Sequence, residues 1–529
     1  MARGCSSDGA GYASSVSEAV REILILGGGS AGWITAATLA AEFRLSRPGT
    51  RVSVIEAPDL PAIGVGEGTW PSMRGTLHAA GLGETELVRE CDAAFKQGSR
   101  FDGWVDGSAT DRYYHPFTLP QGFGEADLMG AWLQGEPAQP FAACVGPQPP
   151  VCDAALAPKQ TTTPAYGGAL NYGYHFDAVK IGQLLRRHAV ERLGVRHIAD
   201  EVVAVRAHDN GDIAALVTRA QGDVEADLFI DCSGMACRLL GQHYGIAFRS
   251  LRPVLFNDSA LAVQVPYARP DAPLASATIA TAHAEGWTWD IGLPTRRGVG
   301  LVYSSAHTSD DAAERALLRH LQASGAPDAV PTPRRIRFDP GHRERFWHRN
   351  CVAVGLAAGF IEPLEASALA LVELSAAMIR DELPATRADM ELVAARFNEA
   401  FDYRWQRIVE FLKLHYVLSR RSDSAYWREH REAASQPARL QELLRLWRQR
   451  APNRNDFNRL EEVFPAASYQ YVLYGMGFRP HTPPPPPERL AAAQARLRDA
   501  ATLTRRLLGG LPRHRDLIQH IRDHGMPAA

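Results

Sequence analysis

Neither sign of charge is in excess in this sequence. Its 57 lysines and arginines face 59 aspartates and glutamates, a net charge of −2. There is therefore no electrostatic footprint for nucleic acid or an anionic membrane. Cysteine is scarce as well. The seven residues, Cys5, Cys91, Cys144, Cys152, Cys232, Cys237 and Cys351, are irregularly spaced. With no C-x-x-C and no histidine pair at zinc-finger spacing, no metal site is indicated. Reduced thiols in a cytoplasmic protein are the expectation. No run of 18 apolar residues occurs, so no transmembrane helix is expected. Residues 1–20, MARGCSSDGAGYASSVSEAV, lack the apolar centre of a signal peptide and read as a disordered tail. No segment repeats at a fixed period.

What is present is a chain of 529 residues, 46% hydrophobic and 22% charged. That balance is ordinary for soluble globular proteins and allows a large core in more than one part. The segment REILILGGGSAGWITAATLAAEF begins with an apolar strand, Ile23 to Leu26. A glycine turn follows, then a helix from about Ala31 to Phe43. RVSVIEAP supplies a second strand ending at Glu56. This is the strand–turn–helix–strand unit of a doubly wound sheet. Further strands are expected at Leu228–Ile230, in IAALVTRA, in GVGLVYSSA and at Cys351–Val354. From about Ala368 the pattern turns helical, through ALALVELSAAMIRDEL, MELVAARFNEAFDYRWQRIVEFLKLHYVLS and ARLQELLRLWRQ. HTPPPPPERL forces an extended break, and a basic helix follows over about Glu488–Leu508. The fold class is thus α/β: a Rossmann-like module over 21–370 and a mainly helical module over 371–529.

Gly27-x-Gly29-x-x-Gly32 follows the first strand and opens the helix, the context in which this motif binds a dinucleotide. The first glycine allows the tight turn and the second the approach of a pyrophosphate. The third lets helix and strand pack closely, with phosphate at the helix N-terminus. Ser30 and Ala31 belong to the same turn. Glu56, at the end of the next strand, is placed to bond ribose hydroxyls and disfavours a 2′-phosphate. FAD is preferred over NAD, because a second strand–glycine unit, DLFIDCSGM, lies about 200 residues on, as in flavoproteins with two dinucleotide-binding folds.

In order along the chain, GGGSAGW, IGVGEGTWPS, AAFKQ, YHFDA, GWTWDIGLP, GFIEPLEAS and FLKLHY resemble the flavin-dependent tryptophan halogenase family, in a divergent branch. The resemblance runs from Gly27 to Tyr416. It implies an enzyme in which reduced FAD, O2 and halide, bromide or chloride, yield hypohalous acid. That oxidant is directed onto an electron-rich aromatic such as an indole or tryptophan derivative. It implies Lys96 as the residue directing the oxidant and Glu365 as its carboxylate partner. Glu362 is a weaker candidate. Ser367 and Ala368 match the halide site, and Val203, Leu356 and Leu369 match positions beside the flavin. Trp287, Trp289 and Ile291 match a W-x-W-x-I-P signature that keeps substrate away from the flavin. The proline of that signature is Gly292 here, and the serine that follows the glutamate in the family is Ala366. Gly355-Leu356 replaces the Gly-Asp of related hydroxylases. A separate NAD(P)H-dependent flavin reductase is implied as partner, since no second G-x-G-x-x-G exists for a nicotinamide. A homodimer is one option that the residues leave open.

Read without the resemblance, the residues carry plainer meanings. Lys96 is a helix-surface lysine paired with Asp92 at i, i+4. Glu365 is an acid at a helix N-terminus. Trp287, Trp289 and Ile291 are one face of a packed strand. His415 reads as a core histidine, and Trp427, Tyr469, Tyr471 and Tyr474 as core aromatics. Ser304, Ser305 and His307 lack the G-x-S-x-G elbow of a hydrolase. A flavin monooxygenase and a non-catalytic FAD-binding relative stand as alternatives.

Overall fold

Ile23, Leu24, Ile25 and Leu26 are buried on both faces, which is why this strand is a continuous apolar run rather than an alternating one. In the computed structural model, which describes residues 19–58, 66–135, 139–327, 329–459 and 462–527, it lies inside a six-stranded sheet. The order is Trp347–His348, Cys351–Ala353, Leu228–Asp231, Glu22–Leu26, Arg51–Glu56 and Arg196–Ala199. All neighbours are parallel except the Trp347–His348 edge. The Ser30–Ser46 helix packs on this sheet together with the helices Ala178–Leu193 and Ser367–Asp381. The N-terminal tail, apart from its last two residues, lies outside the described residues, as do Ile63, Gly64 and Val65 of the IGVGEGTWPS motif.

A second sheet stands beside the first. It has seven strands in the order Arg334–Arg337, Ser259–Pro266, Arg296–Tyr303, Gly286–Gly292, Thr278–His283, Gly98–Asp102 and Arg112–Pro116. A third, of three antiparallel strands, joins Glu67–Gly68, Gly173–Phe176 and Ala94–Lys96. The chain passes from the third sheet to the second through Gln97 alone. Lys96 ends one sheet and Ser99 belongs to the next.

This corrects the helical reading of CDAAFKQ. Lys96 is on a strand and only 1% exposed. Asp92 pairs instead with Arg522 Nη2 at 2.7 Å and with the Thr295 hydroxyl. Local spacing suggested an i, i+4 pair, but the apolar Ala94 and Phe95 are drawn into the core and take the chain into a sheet.

The C-terminal third is helical, with Met390–Leu418, Ala438–Trp447, Ala466–Gly475, Pro487–Gly510 and His514–His524. The boundary expected at 370 falls inside the Ser367–Asp381 helix, which packs on the Ser30–Ser46 helix. One apolar core runs from Ile23 through Trp287 and Phe411 to Ile521, so the two parts share their interior.

Candidate active site

The glycine turn is built for a close backbone approach. Gly27 has φ +117°, and a Cβ there would lie 2.2 Å from the Cys232 carbonyl oxygen. A Cβ on Gly32 would lie 1.9 Å from the Gly27 oxygen. The Ser30–Ser46 helix has no side-chain cap and no acid in its first turn. Its leading N–H groups and positive dipole end are therefore free for a phosphate. Glu56 is oriented by Trp33 Nε1 at 3.3 Å and Arg186 Nη1 at 3.0 Å, and His197 Nε2 lies 2.9 Å from it. These groups border a cavity of about 1910 Å³. It extends past Leu356 and Leu369 to Gly68, Thr278, Trp289, Ile291, Ala366 and Ala368. Cradle, free helix end and oriented carboxylate fit a dinucleotide of the size of FAD.

Beyond the far end of that cavity lies Lys96. A Cβ on Gly68 would sit 3.0 Å from Lys96 Nζ, 3.4 Å from Thr278 Oγ1 and 3.5 Å from Ala366 Cβ. The ammonium and Ala366 thus flank one small gap that any larger residue than glycine would fill. Nζ also lies 5.4 Å from the centre of the Phe117 ring. Burial pushes the Lys96 ammonium down to about 8, with Glu365 and Glu67 opposing the shift. Glu67 faces the cavity, and burial pushes its carboxyl up to about 7 against the pull of Lys96.

Glu365 is 5% exposed and has the left-handed backbone φ of 64°. Its carbonyl oxygen accepts from Trp70 Nε1 at 2.7 Å. Its carboxylate lies 2.8 Å from His115 Nδ1, 3.2 Å from Ser99 Oγ and 3.3 Å from His415 Nε2. Ser99 and His115 stand opposite each other in the Gly98–Asp102 and Arg112–Pro116 pair, so their side chains share a face. Burial alone would raise this carboxyl, but the two imidazoles hold it well below the usual carboxylate range. His415 is itself oriented by Tyr113, whose hydroxyl is 2.6 Å from Nδ1, and its burial lowers its basicity.

The left-handed Ala366 leads into the Ser367–Asp381 helix, which also lacks a side-chain cap and a first-turn acid. The Ser367 hydroxyl is buried without a hydrogen-bond partner. An uncapped, positive helix end and a spare hydroxyl are what a small anion needs. Trp289 and Ile291 line the cavity from the second sheet. The Trp289 ring lies across Gly300, where a Cβ would be 2.2 Å away. Trp287 points deeper and donates its indole N–H to Glu362 at 3.0 Å. Glu362 is further held by Asn257 and by the Tyr416 hydroxyl at 2.8 Å, which makes it a support of the wall.

A model of the tryptophan halogenase family matches residues 22–492. The tryptophan 6-halogenase SttH of Streptomyces toxytricini is 33% identical over 86% of this chain and 89% of its own. The crystal structure of a tryptophan halogenase from Shewanella frigidimarina superimposes with a TM-score of 0.93 at 46% identity, covering 97% of this chain and 99% of that one. BrvH, a flavin-dependent halogenase from Brevundimonas, aligns with a TM-score of 0.83 at 33% identity, over 95% and 99% of the two chains.

The chain belongs to the tryptophan halogenase family. In this halogenase the fold brings Lys96, Glu365, Ser367 and Ala368 to one end of the cavity and Gly27, Gly29, Ser30, Ala31 and Glu56 to the other. Val203 does not join them. Its side chain is 47% exposed, while the neighbouring Val202 is buried and lines the cavity. A strand alternates faces, so a one-residue shift moves the side chain to the other side. Nothing in the sequence singles out His115, Ser99, Trp70 or Glu67, and His415 reads there as core. Only the pairing of two strands and a helix 300 residues away reveals that both histidines meet one carboxylate. Tyr471 is buried and donates to the Thr118 carbonyl at 2.9 Å, a packing role as read.

Proposed function

We propose that this flavin-dependent halogenase halogenates an electron-rich aromatic of the indole or tryptophan type, with Lys96 and Glu365 handling the halogen. The observation that carries the reading is the continuous cavity. It starts at the Gly27–Gly32 cradle and stops at the Gly68–Ala366 gap, behind which a buried lysine and carboxylate wait. FAD would be held by Gly27, Gly29, Ser30, Ala31, Gly32 and Glu56, with Leu356 and Leu369 beside its ring. When bound and reduced, it supplies with O2 the oxidising power that turns halide into hypohalous acid. Ser367 and Ala368 hold the halide, bromide or chloride, on their backbone N–H groups. Trp289 and Ile291 keep the aromatic substrate on the lysine side of the gap.

Lys96, mostly ammonium at pH 7, donates a hydrogen bond to hypohalous acid and strengthens it as an electrophile toward the ring. Glu365 is too weak a base to be the best proton acceptor. Its fixed negative charge instead stabilises the positive ring formed on halogen attack. The 371–529 segment borders this end through Phe411 and His415 of the Met390–Leu418 helix and through Phe464, just before the Ala466–Gly475 helix, with Phe411 and Phe464 packed against the His115 ring. Reduced FAD comes from a separate NAD(P)H-dependent reductase. The assay combines such a reductase, NADH, FAD, bromide and a panel of indoles, read by mass spectrometry. Bromine gain is expected, and oxygen gain in its place would mark a monooxygenase. Lys96→Ala should keep FAD and lose bromination; bromination by that variant at the parent rate overturns the lysine's role.

A further inference from the structure

The strand that carries Lys96 is an edge. In its sheet the order is Glu67–Gly68, Gly173–Phe176, Ala94–Lys96, so among the described residues no strand pairs with its outer side. An edge N–H buried in the core needs another partner. Phe95 finds one in a side chain 419 residues further on: its backbone N–H donates to His514 Nε2 at 2.9 Å. His514 is fully buried and opens the C-terminal helix His514–His524. Its other ring nitrogen, Nδ1, lies 3.2 Å from the Leu274 carbonyl oxygen. The two contacts assign the neutral tautomer, with Nδ1 donating and Nε2 accepting.

Leu274 packs on the end of the strand that carries Trp289 and Ile291. A Cβ on Gly292, which stands where the wall signature has proline, would meet Leu274 Cδ1 at 3.2 Å and Ala275 N at 3.4 Å. One imidazole therefore ties the lysine strand to the loop packed on the wall strand. The rest of the helix is anchored around the same two segments. Arg515 donates to the carbonyl of Pro294 at 2.9 Å, Arg522 reaches Asp92 at 2.7 Å, and Leu517, Ile518 and Ile521 are buried. Before it, Arg513 bridges to Leu156. The family match ends at 492, so this helix lies beyond the matched segment.

We propose that His514 is a positioning residue for the halogenation. It replaces the missing neighbour strand, holds Lys96 at the Gly68–Ala366 gap, and registers the lysine against the wall so that the oxidant is passed on rather than lost. This rests on the role of Lys96 given above. A peptide N–H held by a rigid, buried acceptor cannot drift, and small displacements of a catalytic group are costly in rate.

Two substitutions of similar size separate the bonds. His514→Gln places an amide oxygen where Nε2 accepts from Phe95. His514→Asn keeps a donor near Leu274 but does not reach Phe95. With indole, bromide and the reductase system, His514→Gln should keep at least about a third of the parent kcat, while His514→Asn falls about tenfold with KM within twofold. His514→Asn should also release more freely diffusing hypobromous acid to a chemical trap per O2 consumed, with FAD affinity within twofold. Hydrogen exchange at the Phe95 amide should quicken about tenfold in His514→Asn and not in His514→Gln. Equal activity of the two variants, equal loss in both, or unchanged Phe95 exchange overturns the proposal. If the parent brominates no aromatic, the functional reading fails, while the Phe95 exchange still decides whether His514 holds the strand.

Discussion

The two ends of the cavity are built in opposite ways. The glycine-turn end is local: strand, turn, helix and the acid at the next strand end lie within Glu22–Glu56. The lysine end is assembled from Gly68, Lys96, Ser99, His115, Glu365 and His415, segments spread over some 350 residues. The first is a backbone site and tolerates little change in shape. The second is a side-chain site, where the proposed chemistry depends on charge and position in a buried space. Breaking the first should cost cofactor binding; breaking the second should leave the cofactor in place and stop the chemistry.

The largest effect is expected at Lys96. Lys96→Ala should lower indole bromination by about a thousandfold with FAD affinity within twofold, measured by steady-state kinetics and flavin fluorescence. Gly27→Ala is the mirror case. Its Cβ would collide with the Cys232 carbonyl, so FAD affinity should fall at least about a hundredfold in titrations while Phe95 exchange stays unchanged. Glu365→Gln should lower kcat by about a hundredfold and spare KM, because it removes charge rather than volume.

A smaller effect follows from pH. With the Lys96 ammonium at about 8, bromination should fall as pH rises through that value. A profile that climbs there would mean the free amine is the working form. The same shift sets a sign for stability. The unfolded lysine, near its ordinary 10.5, binds its proton more tightly than the folded one. Stability therefore rises with pH between about 8 and 10.5. Lys96→Met should be more stable than the parent near pH 7, by on the order of 2–3 kcal/mol, with the gap closing above pH 10 in urea titrations. Smallest of all, Val203→Ser should leave FAD binding and melting unchanged. Val202→Ser, on the buried face, should cost about 1–2 kcal/mol.

Much of the local end was legible before any tertiary information. The strand at Ile23–Leu26, the following helix and Glu56 are local periodicities and turn chemistry, and they appear where the residues place them. Trp287, Trp289 and Ile291 do share a strand. The differences from the structure have physical causes. The Asp92–Lys96 spacing of four residues suits a helix, but burial of Ala94 and Phe95 outweighs one surface ion pair worth a few tenths of a kcal/mol. Val203 faces out and Val202 in, because strand phase is set by which face the core takes. His415 was read as core, and it is fully buried, yet it also lies against Glu365.

By itself, the sequence determined the family and the glycine turn between the first strand and helix, because those are carried by residue types at short, fixed spacing. Only the tertiary structure decided what surrounds Lys96 and Glu365: two histidines against Glu365, an edge strand completed by His514, a lysine shifted down by burial. Those properties depend on which distant groups are brought together and how completely water is removed, and neither is written in any one stretch of chain.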